Sequence, residues 1–548
     1  MIAGTFFWFF YFAFSKTRIE AGTDKIKKWS RRILIFLVAL GLLFVVTRGA
    51  TIWRSISGFN RLATISINDS SFQTRRIAMG VSWEAFKEKP IIGWGLENYI
   101  TAYSQHYNPE YAIYEEAYFD RAHNKIADVA VMQGIFGLIS YLGLFVALFY
   151  ILFGGKKVIK PGLENSSIEG ENLITTHEQP NYTKSILGAL TVAYSIQNLF
   201  LFDTPVSYLM WFTVLGFVLT LTFKDKFKTS TNTNEELVNT DKKKQSNEGI
   251  SINHLKSALI GGGIISAIGF IVYSLYAYHY TPYDQAKIRW VAGNSGNVKD
   301  VLTAAPKFLE PYNYIQPTLR VQLMEALNTS IALENSNFDP LTDVAIGALQ
   351  EVIARNPNYD MRYYVLLGEV FNERGKRQPE FLEKGEVVLK KALELSPRRQ
   401  DIYYVLAFNL AIQGRFEEAI ETNKTAVSLD KNVARSHYNL GVSYVLAGRN
   451  YYDLAEVSLD QALDIGFLNP SSLIVDFNNI STTYQGILSA YILERDAEST
   501  IRIAEKVIVL SVETNPALAQ DMELIIDYAS RGDWDTLFEA IQTNNPNN

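Results

Sequence analysis

Unbroken apolar runs crowd the first half of this chain, while the second half alternates apolar and charged positions with a helical period. The runs fall at residues 2–14, 33–46, 126–153, 185–202, 205–223 and 255–278, and they predict about six membrane-spanning helices. The first run is short for a full span, and its basic residues follow it instead of preceding it, unlike a signal peptide. It reads as the end of a transmembrane helix that begins upstream of this Met.

Charge orients these spans. Lys16, Arg18, Lys25, Lys27, Lys28, Arg31 and Arg32 crowd the first short connection, which marks it as cytoplasmic. The loop at about 48–125 then lies outside. Lys156, Lys157 and Lys160, and later Lys224, Lys226, Lys228 and Lys242-Lys243-Lys244, mark two further cytoplasmic segments, whereas the Asp203-Thr204 connection carries no Lys or Arg. The second of those segments, about 224–254, is rich in Asn, Thr and Lys with no apolar period, and is expected to be disordered. Six spans make residues 1–278 a membrane domain and place residues 279–548 outside the membrane.

The second half repeats itself. Leu367-Gly368, Phe371, Gly375, Ala392 and Pro397 are echoed by Leu406-Ala407, Leu410, Gly414, Phe416, Ala419 and Ala426. A third unit carries Leu440-Gly441, Tyr444, Gly448, Ala455 and Ala462. A small residue lets one helix lie close on the next, and the glycine seven positions later makes the turn between them. This is the tetratricopeptide pattern, clearest over 361–466, with degenerate or capping helical pairs at 339–357 and 480–542. Extra residues at 377–380 belong in a loop. The predicted fold is therefore all-α: a polytopic transmembrane helical domain followed by an α-solenoid.

Composition narrows the chemistry. A net charge of −6 over 548 residues leaves no nucleic-acid footprint, and the absence of cysteine excludes disulfides, thiolate metal sites and a cysteine nucleophile. The sequence contains no Walker loop, no Gly-x-Ser-x-Gly elbow and no His/Glu cluster at metal-ligand spacing. Asp533-Trp534-Asp535 has the look of a metal-binding acidic pair, but its place in the terminal helices reads as a solvated face. Asn198 and Asp203 sit at the outer end of a span, where polar residues are either functional or capping.

Chemistry-bearing residues gather in the outer loop. Arg75, Arg76 and Arg121 suit bidentate recognition of phosphate, the alternative being contact with lipid headgroups or pairing with Glu84, Glu88 and Asp120. Residues 77–89, with Ile77, Val81 and Trp83 or Phe86 on one face, read as a helix resting on the membrane interface. Pro90 ends that helix, and Gly93 and Gly95 supply a tight turn. His123 precedes a span that Asn124 is placed to cap, and a neutral imidazole there can serve as a general base, with Asp120 or Glu115-Glu116 to orient it.

These residues resemble the O-antigen ligase-related family. The resemblance rests on Thr-Arg at 74–75, Pro-x-x-Gly-Trp-Gly-x-Glu-Asn at 90–98, Asp-Arg-Ala-His-Asn at 120–124, and Gly134 with Gly137 in the next span. The stretch 197–204, Gln-Asn-Leu-Phe-Leu-Phe-Asp-Thr, is a weaker part of it. The resemblance covers about residues 1–223, and C-terminal tetratricopeptide repeats are familiar in that family. It implies transfer of a glycan from a polyprenyl-diphosphate carrier to a lipid, glycan or protein acceptor on the outer face of the plasma membrane, without cofactor or metal. By motif, His123 matches the essential histidine and Arg75 the arginine that meets the diphosphate. Arg76, Arg121, Glu97, Asn98 and Asn124 fall in the substrate-binding positions around them. Family members usually have more spans, including an upstream arginine-bearing outer loop, so this chain is expected to be N-terminally truncated. The competing reading is a non-catalytic, membrane-anchored scaffold whose repeats bind an envelope protein. A scaffold has no need for Arg75, the Gly-Trp-Gly turn and His123 together.

Overall fold

The computed structural model describes residues 2–14, 23–64, 66, 68–153, 182–201, 204, 206–219, 269–272, 274, 309, 316–328, 336–468 and 477–543. Among them every regular element is a helix, and no strand occurs. The chain divides into two compact units, Met1–Tyr99 with Phe119–Ser246, and Ile100–Tyr118 with Asn247–Asn548.

In the first unit, α1 (Ile2–Phe14) packs between α2 (Thr23–Thr47) and α8 (Tyr182–Asn198). Two short helices, α3 (Thr51–Ser55) and α4 (Ser57–Thr64), follow α2 and lead to α5 (Ser70–Glu88). A seven-residue α6 (Tyr99–Gln105), which after Tyr99 belongs to the second unit, comes before α7 (Lys125–Phe153) in the chain. The last described helix of the first unit is α9, Val206–Leu219. Small residues bring α1 and α8 together, since a side chain at Gly4 would meet the Ala189 carbonyl oxygen at 2.6 Å. Aromatic stacking joins α7, α8 and α9, with Trp211 lying 4.9 Å from Phe145 and 4.5 Å from Tyr194.

Two helices among the described residues, Lys27–Thr47 and Lys125–Phe153, are long and apolar enough to cross a membrane. Both keep much of their apolar surface uncovered, with Val46 at 81% and Val146 at 69% exposure. Such a surface suits lipid better than water. Helix α1 covers the run 2–14 as expected, α8 and α9 are described over 182–198 and 206–219, and most of the run 255–278 lies outside the described residues, as do Asp203 and the loop 224–254.

The second unit is a stack of helix pairs. A lead-in pair is formed by α10 (Gln316–Asn328) and α11 (Asp339–Arg355). The three repeats are α12 (Arg362–Gly375) with α13 (Glu380–Leu395), α14 (Gln400–Ile412) with α15 (Phe416–Leu429), and α16 (Ala434–Ala447) with α17 (Tyr452–Leu468). Helices α18 (Phe477–Glu494), α19 (Ala497–Ser511), α20 (Pro516–Arg531) and α21 (Trp534–Thr543) complete the stack. The repeated small residues sit where expected: Gly368 and Gly441 leave room for Leu389 and Leu459, and Ala407 is fully buried. Gly414 and Gly448 turn the chain with φ of 77° and 98°, a region that penalises a side chain. Gly375 lacks that conformation and instead makes room for Leu382, because residues 376–379 carry the chain into α13. Neighbouring repeats are joined by buried amides, as Asn409 donates to Asn372 Oδ1 (2.6 Å) and to the Leu382 carbonyl (3.0 Å).

Candidate functional site

Helix α5 carries Arg75 and Arg76 on its exposed side, while Thr74, Ile77, Ala78, Val81, Ser82 and Ala85 form its buried face. The sequence put the Ile77/Val81 face on the membrane interface. Instead it is buried in protein, because α5 packs on α7, while Trp83, 58% exposed, stays at the surface. Arg76 Nε donates to Gln73 (2.7 Å), whereas Arg75 makes no hydrogen bond or ion pair to another described residue.

After Pro90 the chain docks into a break in α7. Gly134 adopts φ 64° and ψ −162° within that helix, so the normal hydrogen-bond ladder fails around it. The Ile135 N–H, which would reach the Val131 carbonyl in a regular helix, donates to Pro90 O at 2.8 Å. The freed carbonyls of Val131 and Met132 accept the Trp94 and Gly95 N–H groups, each at 2.9 Å. Glycine is needed on both sides of this contact, since a Cβ on Gly93 would strike the Met132 backbone and one on Gly134 the Ile91 carbonyl. Trp94 pins the turn, its Nε1 donating to Ala85 O (2.9 Å) and its ring lying 3.4 Å from Lys89 Nζ. Asn98 closes it by donating from Nδ2 to Trp94 O (3.0 Å), so this predicted binding residue shapes the turn.

His123 follows directly from this framework. Its φ is 51°, in the left-handed region, and its ring meets Phe119 edge-on at 5.0 Å. Two neighbours hold that geometry. Asn124 Oδ1 accepts the Ile126 and Ala127 N–H groups (2.9 and 3.1 Å), capping α7, while its Nδ2 donates to Leu199 O (3.0 Å). That bond ties the Asp-Arg-Ala-His-Asn motif to the 197–204 stretch. On the other side, Asp128 Oδ1 accepts the Ala122 N–H at 2.7 Å.

Arg121 pairs with Glu97 at 2.5 Å and also reaches Met132 Sδ at 3.6 Å. Burial works against the Arg121 charge, but the Glu97 hydrogen bond and charge outweigh it and hold its pKa above the ordinary value. Glu97 is itself in the left-handed region, at φ 64°. The structure thus brings two predicted residues together as an ion pair, and it places Asn98 and Asn124 in supporting roles around the turn and the histidine.

Other candidates have different partners. Glu115 accepts from Tyr111 (3.1 Å) and Glu116 pairs with Arg435, so these two carboxylates serve the second unit and not His123. Asp535 pairs with Arg495 at 2.8 Å and Asp533 accepts from Thr536 at 2.8 Å, which makes the terminal acidic pair a surface feature. Asn198 is buried and donates to Tyr141 (3.0 Å). Among the described residues no group of three or more His, Asp or Glu side chains could hold a metal ion.

Sequence reasoning missed Asp128, Lys125 and the Ser82–Tyr99 pair. Asp128 is fully buried, and its Oδ2 finds no partner among the described residues. A carboxylate five residues beyond the histidine inside an apolar run was a signal that could have found it. Lys125 Nζ donates to Tyr208 at 2.5 Å, and Ser82 shares a 2.8 Å bond with Tyr99. Burial pushes the Tyr99 phenol far above its usual pKa, so it stays neutral.

Residues 1–142 match the O-Antigen ligase family model, and residues 409–448 match the model of a TPR repeat. The first match spans the arginines of α5, the Gly-Trp-Gly turn, His123 and the Gly134 break. The two families are those that the motifs of the membrane loop and of the second half resemble. No curated protein matches the chain.

Proposed function

We propose that this protein is a glycosyltransferase of the plasma membrane, moving a glycan from a polyprenyl-diphosphate carrier to an acceptor on the outer face. The observation that carries this reading is the O-antigen ligase match over residues 1–142, which includes a loop whose histidine sits in the left-handed region directly before the Asn124 cap of α7. Residues 279–548 are assigned to the same side of the membrane as that loop.

The chemistry follows from the residue types. His123 takes the proton of the acceptor hydroxyl or amine as that atom attacks the anomeric carbon. The bond between this carbon and the diphosphate oxygen breaks, and the electron pair leaves with the polyprenyl diphosphate. Arg75, exposed and without a partner among the described residues, neutralises charge growing on that leaving group, with Arg76 beside it. Arg121, held by Glu97, adds positive field from the His123 side of the turn. Asn98 and Asn124 keep the turn and the histidine in place, and Asp128 does the same from within α7.

The test uses cells that make the lipid-linked glycan but lack their own ligase, expressing either the parent chain or His123→Ala. Transfer by the parent alone, at equal protein level, supports the assignment. Transfer that survives in the variant removes His123 from the mechanism. No transfer by either, with donor present, shifts the weight to the scaffold reading.

A further inference from the structure

Residues Ile100–Tyr118 link the Gly-Trp-Gly-x-Glu-Asn turn to the Asp-Arg-Ala-His-Asn motif, yet they pack with the repeats. The segment has a small core of its own, with Tyr103, Tyr107 and Tyr111 buried edge-to-face at 6.0–6.1 Å. Its outer contacts fall on three successive turns between helix pairs. At the first turn Thr101 donates to Tyr359 O (2.8 Å). At the second, Ser396 donates to Ser104 O (2.7 Å) and Gln400 to Pro109 O (3.2 Å), while Tyr118 donates to Asp401 (3.1 Å). At the third, Arg435 pairs with Glu116.

Arg399 is the centre of this contact. It is 3% exposed, and its Nε donates to both oxygens of Asp401 at 2.9 Å. Its Nη2 reaches Glu116 O (3.3 Å), and its guanidinium lies 3.8 Å from the Tyr118 ring and 4.9 Å from the Tyr107 ring. A buried cation held between a carboxylate and two rings of the inserted segment has a strong preference for one arrangement.

We infer that the repeats take this chain's own Ile100–Tyr118 segment as an intramolecular ligand, and that Arg399 is a positioning residue for the transfer reaction. The role in transfer rests on the proposed function; the docking does not. Tyr118 lies five residues before His123, so fixing the segment removes conformations that the linker between the two motif halves would otherwise sample. The repeat turns then act on transfer only through the chain that leads from Tyr118 to His123, and any partner that binds those turns must displace the loop.

The experiment uses the full chain in native-like lipid. Amide exchange is followed in peptides covering 100–118 and in α17, alongside glycan transfer with kcat and KM for the lipid-linked donor. Arg399→Ala should speed exchange in 100–118 by roughly a hundredfold, leave α17 unchanged, and lower kcat more than it raises KM. Arg399→Lys should recover part of both. Should Arg399→Ala fail to accumulate, Thr101→Val with Tyr118→Phe releases the segment from its own side without touching the repeats. Fast exchange of 100–118 in the parent overturns the docking. A released segment with unchanged transfer overturns the positioning role. A protected segment in a parent that transfers nothing overturns the glycan-transfer reading and leaves the docking intact.

Discussion

Gly134 is the position where one added methyl group should do the most damage. Its φ and ψ of 64° and −162° belong to a region that side chains scarcely enter, at a cost of about 1–3 kcal/mol. The Cβ of an alanine would also overlap the Ile91 carbonyl, which is backbone and cannot swing aside. The docked turn must therefore lift, and the Trp94, Gly95 and Ile135 hydrogen bonds across the break go with it, each worth about 1 kcal/mol net. If α7 straightens it regains part of that sum, so the expected net cost of Gly134→Ala is about 3 kcal/mol. Gly143, on the same helix, is the internal control, since a Cβ there would meet nothing within 4 Å, and Gly143→Ala should change stability by less than about 1 kcal/mol. The chain lacks cysteine, so Ala85→Cys, introduced at a residue 1% exposed beneath Trp94, becomes a clean reporter. Maleimide labelling of that cysteine in membranes should rise roughly a hundredfold with Gly134→Ala and stay within about twofold with Gly143→Ala. Equally slow labelling in both would refute the argument that the turn is seated in the helix break.

Two further substitutions test the supports around the site. Asp128→Ala strands the buried Ala122 N–H at a cost of about 1–3 kcal/mol, and transfer should fall at least tenfold while Asp128→Asn, which keeps an acceptor, stays near the parent. A transfer assay at matched protein level decides between them, and equal loss in both variants would point to the charge instead of the hydrogen bond. In the second unit, burial, followed by the charges of Asp401 and Glu325, pushes the Glu369 pKa up from 4.5 to about 7. The folded state therefore holds this proton more tightly than the unfolded state, so its contribution is fully present below about pH 4.5 and is lost as pH rises through about 7. Stability of the parent should fall by up to about 3 kcal/mol more than that of Glu369→Gln between pH 5 and pH 8, and parallel melting curves for the two would contradict this.

Much of this architecture is legible in the sequence, because it is written in spacing. The step from Gly368 to Gly375, and its echoes at 407–414 and 441–448, located the helix pairs, and Asn124 was recognisable as a cap from its place before an apolar run. The docking of the turn into α7 was not legible. Its hydrogen bonds join backbone to backbone, and Gly134 beside Gly137 reads as an ordinary pair of small residues in a span. Asp128 was hidden by the apolar residues around it. The 100–118 segment looked like part of an open loop, although Tyr103, Tyr107 and Tyr111 recur every four residues, a spacing that hints at a common buried side. Glu115 and Glu116 were read against the nearest histidine in the chain, when their partners are Tyr111 and, more than three hundred residues away in sequence, Arg435. Long-range pairing of this kind leaves no periodic trace.

The most direct test of the central claim uses the purified full chain in liposomes carrying a polyprenyl-diphosphate glycan and an acceptor glycan, with mass spectrometry of both products. The account predicts that the parent releases polyprenyl diphosphate in step with transferred glycan, and that His123→Ala, equally folded, does neither. Equal release and transfer by the two proteins would contradict it.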